Sequence, residues 1–263
     1  MAMRHDMHRI RRFGVGALTA ALMLSASASA TAGTPRYPDL RMPSPTDLHL
    51  LTAAVNGVQH HRLHFTTRPW NAGAGPFEVH RDPEPSGIAA LTQRIYEDPA
   101  GFRDERVGSA IFAPTDFVFS LPHIARYELW TERAFARAAS RGFTRGAPIA
   151  YRDGVTHCVA DSQQLDPDAT PVAVYAQCNK FVIGISPGWA DVEGWPEDFQ
   201  SVDVGTAPLP DGDYVVRAIV DPENLLFESD GKADPSREGW VANSGITYFR
   251  IVGGQLAGVD DDF

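Results

Sequence analysis

Short apolar runs, interrupted every few residues by Pro, Gly, Asp or Asn, limit most strongly how this chain can fold. Some runs alternate polar and apolar residues, as strands with one buried face do, and others are more continuously apolar and rich in β-branched residues. The alternating runs are residues 62–66 and 77–80; the continuous ones are residues 172–175, 181–185 and 214–220, and a last candidate is 247–252. Short strands with turn residues between them predict a mainly β fold, an antiparallel β-sandwich with long loops.

One short helix and two irregular ends are predicted around these strands. Residues 131–140 are rich in Ala, and Gly142 follows where it can cap a helix. Residues 33–45 are Pro-rich and predict a poorly ordered lead-in, whereas residues 253–263 carry an Asp run typical of a solvated acidic tail. Neither a repeat nor an inter-domain linker is apparent, so residues 46–252 are predicted to form one domain.

The first 32 residues have the composition of a secretory signal peptide. Arginines precede an apolar stretch at residues 13–24, and small residues that offer A-x-A cleavage sites fill residues 25–32. The alternative interpretation is a disordered tail. The apolar stretch is too short to span a membrane, and no later stretch approaches the ~18 apolar residues that a spanning helix needs. The sequence therefore predicts export, a secreted or extracellular location and no membrane span.

Acidic residues dominate the chain. The full sequence has 23 basic and 33 acidic residues, and removal of residues 1–32 leaves 19 and 32, a net charge of −13. Nucleic-acid binding requires clustered Lys and Arg against the phosphate backbone, so nucleic acid is excluded as a partner. A basic partner fits the charge, although solubility alone explains it equally well.

Cys158 and Cys178 are the two cysteines of the chain. In an exported protein they are expected to pair, and closing such a loop stabilises a fold by roughly 3 kcal/mol on the chain-entropy model. The alternative is a thiol nucleophile, which requires an activating neighbour. His157 is adjacent in sequence, but neighbouring side chains on a strand point to opposite faces. We therefore predict a disulfide.

The histidines and acidic segments give no clear metal site. His60 and His64 would share one face of a strand while His61 would lie on the other, so surface or core imidazoles are the simpler interpretation. Residues 191–198 and 228–238 could bind calcium through oxygen ligands, although solvated loops are again simpler.

A formal G-x-S-x-G match occurs at residues 184–188. In such an elbow the residue after the serine supplies a backbone N–H to the oxyanion hole. Pro187 has no N–H, so we predict a turn after a strand rather than a nucleophile.

Four stretches between residues 62 and 230 are each unspecific alone, but together and in this order they form a specific pattern. They are residues 62–65 with the loop N-A-G-A-G-P at 71–76, I-A-R-Y-E-L at 124–129, Cys178 with G-I-S-P-G-W-A-D at 184–191, and L-P-D-G-D-Y at 209–214 with 220–222 and 228–230. As an ordered set they resemble the bacterial and animal lysyl oxidase family. The resemblance implies a lysyl oxidase-type domain.

The resemblance implies copper as a cofactor, held by a His-x-His-x-His run. Its period-2 spacing puts three imidazoles on one face of an extended segment. Counting back from Arg126, the ligand positions fall on Thr115, Phe117 and Phe119. A shift of register supplies no ligand, because residues 81–122 contain no histidine. We predict no metal here, and a buried apolar stripe at the two phenylalanines.

The resemblance also implies a lysine tyrosylquinone, made by crosslinking a Lys and a Tyr of one chain. The tyrosine position is Tyr214, and the lysine position, four residues before Cys158, is Gly154. The first lysine of the chain is Lys180, and a crosslink from Lys180 to Tyr214 is the alternative. Otherwise Tyr214 is expected to be a core or cross-strand aromatic residue.

Three functions follow from these observations. Because both the copper ligands and the lysine are replaced, the leading hypothesis is a secreted, non-catalytic lysyl-oxidase-like domain without a cofactor. It would act as an extracellular binding or structural module for an unknown protein or cell-wall ligand. The competing hypothesis is a copper-dependent amine (protein-lysine) oxidase whose altered metal site uses His60, His64, His123 or His157. The third is a calcium-stabilised sandwich that uses the acidic loops.

Overall fold

The computed structural model describes residues 33–83, 87–112, 119–194, 200–229 and 243–260. By their contacts, residues 33–263 form a unit separate from residues 1–32. The elements, in chain order, are β1 Thr34–Arg36, β2 Leu40–Arg41, β3 Thr46–Val55, β4 Val58–Thr66, β5 Trp70–Asn71, β6 Phe77–Arg81, β7 Gly87–Asp98, β8 Phe102–Phe112, β9 Leu121–Thr131, α1 Glu132–Ala139, β10 Ala150–His157, β11 Gln163–Gln164, β12 Val182–Ile185, β13 Trp189–Ala190, β14 Ser201–Gly205, β15 Gly212–Val220, β16 Ser244–Val252 and β17 Gln255–Asp260.

These strands form antiparallel sheets, and the fold is mainly β with one short helix, as the sequence predicts. One five-stranded sheet has the order β1-β7-β6-β12 with β8 also on β7, and the other has the order β10-β9-β15-β16-β17. Two smaller sheets have the orders β11-β13-β5-β2 and β14-β4-β3. Among the described residues no helix is long and apolar enough to cross a membrane.

Burial along each strand follows its place in its sheet. β15 lies between β9 and β16, and all of its residues from Tyr214 to Val220 are buried. A run that is apolar apart from Arg217 suits a strand covered on both faces, and the buried guanidinium of Arg217 lies 3.5 Å from a carboxylate oxygen of Glu128. β7 instead alternates buried and half-exposed residues along its central part, so that one face packs on the core.

The predicted helix is confirmed almost to the residue. The Thr131 hydroxyl accepts a hydrogen bond from the Ala134 N–H and caps the helix, and Gly142 follows with a φ of +58°. Phe135 and Ala138 pack with Trp130 and Val215 in a small cluster on one side of β15. The helix therefore covers one end of the second five-stranded sheet.

The disulfide prediction is also confirmed. Cys158 and Cys178 are bonded, with their Cα atoms 5.9 Å apart. Cys158 follows directly on β10, and Cys178 stands four residues before β12. The bond therefore connects elements of the two five-stranded sheets.

Two sequence predictions are wrong, and a third segment has more structure than expected. Residues 172–175 form no strand, and Val172 and Val174 are 66% and 68% exposed. The N–H groups of Val174 and Tyr175 donate hydrogen bonds to the carboxylate of Asp161 instead of to a neighbouring strand. The lead-in at 33–45 contains β1, which pairs with β7, and β2, which pairs with β5. Part of the tail at 253–263 forms β17 at the edge of β16, although five of the six residues of β17 are exposed, as expected for a solvated segment.

Candidate functional site

The copper positions implied by the resemblance are only partly described. Thr115 and Phe117 lie outside the described residues. Phe119 is fully buried, and its backbone N–H donates to the carbonyl of Asn179 at 2.7 Å. Its ring is a core side chain, as expected for this residue of the apolar stripe.

Gly154, which the resemblance places at the lysine position, lies in an irregular part of β10. The pairing with β9 shifts between Arg152 and Val155, and Gly154 adopts a φ of +62°, a left-handed conformation that favours glycine. A Cβ added here would lie 3.3 Å from Cε1 of His123. The His123 ring in turn has its Nδ1 3.1 Å from a carboxylate oxygen of Glu223. The backbone at this position is therefore shaped for glycine.

Tyr214 lies near the start of β15 and is 4% exposed. Its ring stacks on Phe249 with the centroids 5.6 Å apart, and its hydroxyl donates to the Pro210 carbonyl at 2.8 Å. Burial raises the pKa of Tyr214, with a further contribution from the charge of Asp211. The expectation of a cross-strand aromatic residue is confirmed, since Tyr214 pairs with Phe249 in register.

These residues do not fit a lysine tyrosylquinone. Gly154 offers no amine, and it is adjacent to Val155, which faces Ala125 of β9, whereas Tyr214 faces Thr131 at the end of β9. At about 3.3 Å per residue, Ala125 and Thr131 are roughly 20 Å apart along the strand. Lys180 lies two residues before β12, and β12 belongs to the five-stranded sheet that does not contain β15. Neither Gly154 nor Lys180 is therefore placed as a crosslinking partner of Tyr214.

The histidines considered as copper ligands are dispersed. His60 has its Nδ1 3.0 and 2.9 Å from the carboxylate oxygens of Asp203, an exposed pair across β4 and β14. His64 is buried and pairs in register with His49 of β3. Within the described ranges, a single group of three or more His, Cys, Asp or Glu side chains could hold a metal ion, and it contains one imidazole, that of His157.

His157, Asp191 and Glu193 form this group, which we call the HDE cluster. One potential ligand atom from each residue lies within 4.8 Å of the other two. Nε2 of His157 is 3.5 Å from Oδ2 of Asp191, and both side chains are about 95% buried. Glu193 is half-buried.

Backbone pairing explains how the two carboxylates reach His157. The N–H of Asp191 donates to the carbonyl of Pro69 at 2.9 Å, and Thr67 and Glu193 exchange two hydrogen bonds in an isolated bridge. This pairing holds residues 191–193 extended, and residues two apart on an extended segment face the same side. His157 ends β10 opposite Leu121 and directly precedes the disulfide.

Burial sets the charge state of the cluster. It lowers the pKa of His157 to about 4, so the imidazole is neutral and has a lone pair available near neutral pH. Burial, followed by the charge of Glu193, raises the pKa of Asp191, against the opposing hydrogen bond from the Ala160 N–H. The arrangement thus offers a cation one neutral imidazole nitrogen and two carboxyl groups, and a bound cation would favour the ionised form of Asp191 that burial and Glu193 disfavour.

The sequence indicates parts of this cluster but not their combination. His157 is one candidate ligand of an altered metal site, and Asp191 and Glu193 lie in the acidic segment 191–198, of which residues 195–198 are outside the described ranges. The sequence shows acidic residues at the alternate positions 191 and 193. This pattern does not predict that they contact a histidine more than 30 residues earlier in the chain.

Two other sequence candidates have structural roles. Ser186 is 1% exposed and donates through its hydroxyl to Asp161 at 2.6 Å, so it holds a turn as predicted. In the second acidic segment, Glu228 accepts hydrogen bonds from the Leu40 N–H and the Asn243 amide. Residues 230–238 of that segment lie outside the described part of the chain.

Comparison with known proteins adds no relative. No protein-family model matches this chain, and no curated protein matches it significantly.

Proposed function

We propose that this chain is an exported, non-catalytic lysyl-oxidase-like domain that acts outside the cell as a binding or structural module. The observation that carries the proposal is Gly154 at the lysine position, in a left-handed backbone conformation beside His123. A quinone precursor needs a lysine there, and the fold has instead adopted a glycine-specific bulge.

The junction at Asn71 supports treating the resembling stretches as one structural unit. Asn71 is fully buried, and its amide donates to the carbonyls of Gly75 and Ile185 at 2.9 and 3.0 Å. The N–H of Gly188 donates to the carbonyl of Asn71 at 2.7 Å. Residues 71–76 and 184–191 are thus joined through one residue, as segments of a shared site or core would be.

An open groove beside Tyr214 supports a binding role. It has a volume of about 690 Å³ and is lined by Tyr214, Tyr248 and the acidic side chains of Glu132, Asp213 and Asp260. Aromatic faces next to carboxylates suit a cationic group on an extracellular protein or cell-wall polymer. Arg250, which pairs with Asp213, limits the negative charge at one side of the groove.

The competing proposal, an amine oxidase with an altered copper site, would have to use the HDE cluster. His157 faces Leu121 at one end of β9, whereas Tyr214 faces Thr131 at the other end. A strand of that length spans about 33 Å at about 3.3 Å per residue. A metal at the cluster would be remote from the tyrosine that a quinone requires.

Amine-dependent release of hydrogen peroxide tests the proposal. The purified mature chain is incubated aerobically with copper, cleared of loose metal and assayed with a panel of primary amines, with an active lysyl oxidase as the positive control. We expect no peroxide above that of a Tyr214→Phe variant. Peroxide that depends on both the amine and Tyr214 would overturn the proposal.

A further inference from the structure

We propose that His157, Asp191 and Glu193 form a binding site for one divalent transition-metal ion of the zinc class. The site is separate from the positions that the family resemblance assigns to copper, and it does not depend on the proposed function. It would act as a crosslink between the end of β10 and the segment that follows β13.

The geometry of the cluster allows a common centre. Three atoms that lie within 4.8 Å of one another can all be reached from a point at most about 2.8 Å away. Zinc bonds to His nitrogen and carboxylate oxygen are about 2.0–2.2 Å long. Side-chain rotations that move each ligand atom by less than about 1 Å would therefore complete the three metal–ligand bonds without a change in the backbone.

The backbone already fixes the direction of each ligand. Asp191 and Glu193 face the same side of an extended segment that is pinned at Pro69 and Thr67. His157 is held by its pairing with Leu121 and by the adjacent disulfide at Cys158. Ligands on rigid elements lose little conformational freedom when a metal binds.

Asp191 provides an observation that is independent of the clustering. Its side chain is 96% buried, yet Oδ2 accepts no hydrogen bond from any described residue. The other oxygen, Oδ1, accepts from the Ala160 N–H at 3.3 Å, so Oδ2 is the atom that is turned toward His157. A buried carboxylate oxygen without a donor is costly, and a bound cation removes that cost.

The ligand types select the metal class. An imidazole nitrogen suits zinc and its transition-metal neighbours, whereas calcium takes six to eight oxygen ligands. Three protein ligands leave one position of a tetrahedral zinc ion for water or a small anion. Glu193 is the half-buried member, so this position lies on the accessible side of the cluster.

Zinc retention by matched variants tests the proposal. The mature, disulfide-bonded chain is stripped with a chelator, dialysed against zinc, passed over a chelating resin and analysed for metal. We expect one zinc ion per wild-type chain and a zinc-dependent rise in melting temperature. Cobalt substitution should give the visible absorption of a low-coordinate site.

Two variants remove ligands with little change in shape. Asp191→Asn keeps an oxygen to accept from Ala160, and Glu193→Gln changes a half-buried side chain. Since loss of even an outer-shell partner weakens metal sites by about 10–100-fold, each variant should bind zinc at least about tenfold more weakly. His60→Asn, which removes a half-buried imidazole from its pair with Asp203 outside the cluster, should bind zinc as the wild type does.

Several outcomes would overturn the site. The first is a wild-type chain that retains no zinc. The second is that the Glu193→Gln and Asp191→Asn variants retain as much zinc as the wild type while remaining folded by circular dichroism. The third is that His60→Asn loses as much zinc as the ligand variants do. A rise in melting temperature with calcium but not with zinc would also reject the assignment, in favour of an oxygen-only site.

Discussion

Glu78 shows how a single buried carboxylate is made stable in this fold. It lies two residues before His80 on β6, and the side chains of the two share one face and bond to each other. The hydroxyls of Tyr96 on β7 and Tyr175 in the disulfide loop also donate to it. Burial alone raises the pKa of Glu78, but the hydrogen bonds from His80, Tyr175 and Tyr96 outweigh it and leave the pKa below 4.5.

This lowered pKa predicts the pH dependence of stability. A carboxylate whose pKa is lower in the folded than in the unfolded chain stabilises the fold above the unfolded pKa, and the contribution is lost as the pH falls through the folded value. Glu78→Gln should therefore reduce the free energy of unfolding by about 1–3 kcal/mol near neutral pH, and by less in acid. Urea unfolding at both pH values measures this.

The exposed carboxylate of Asp168 supplies the matched control. Asp168→Asn should change the free energy of unfolding by less than about 0.5 kcal/mol at either pH. A Glu78→Gln variant that loses as much stability in acid as at neutral pH would show that the hydrogen bonds, and not the charge, account for the effect.

At the scale of elements, the Asn71 junction joins three segments that are distant in sequence. Besides its two donor bonds, its side-chain oxygen accepts from the N–H groups of Asp39 and Gly73 at 3.0 and 2.9 Å. Gly73 and Gly75 allow the close approach, because a Cβ at either would lie within 2.5 Å of backbone atoms of residues 36–39. One amide therefore holds β2, the loop after β5 and the end of β12 together.

Asn71→Ala should cost about 3 kcal/mol in the free energy of unfolding, because it removes the partners of two buried carbonyls and of two part-buried N–H groups. Asn71→Asp keeps both acceptor bonds and loses both donors, so it should fall between the alanine variant and the wild type. Chemical denaturation of the three proteins checks this order. Equal stability of the alanine variant and the wild type would mean that water replaces the amide.

The elements that can be predicted from the sequence are those whose local residue pattern is sufficient to determine the secondary structure. β15 is central and mostly apolar, and α1 carries its capping residues within the predicted segment. Residues 172–175 are equally β-branched but form a loop, because Asp161 and the disulfide decide their course. β1 and β2 depend wholly on partners elsewhere in the chain, which composition cannot reveal.

At the scale of the whole molecule, the candidate sites differ in how far the sequence could reveal them. Gly154 at the position that the resemblance assigns to lysine is visible in the sequence, because the nearby Cys158 fixes the count. The HDE cluster forms only when β10 and the segment after β13 meet, each held by its own partners. Its three members come from two separate stretches, so their convergence is a property of the fold.

We propose that this fold carries no quinone, and peptide mass mapping of Tyr214 tests this proposal most directly. The mature chain is incubated aerobically with copper, reduced, alkylated and digested, and the peptide that contains Tyr214 is compared with that of a copper-free sample. We predict the mass of an unmodified tyrosine in both, with the peptide of Lys180 also unchanged. An oxidised Tyr214 crosslinked to Lys180 would contradict the account.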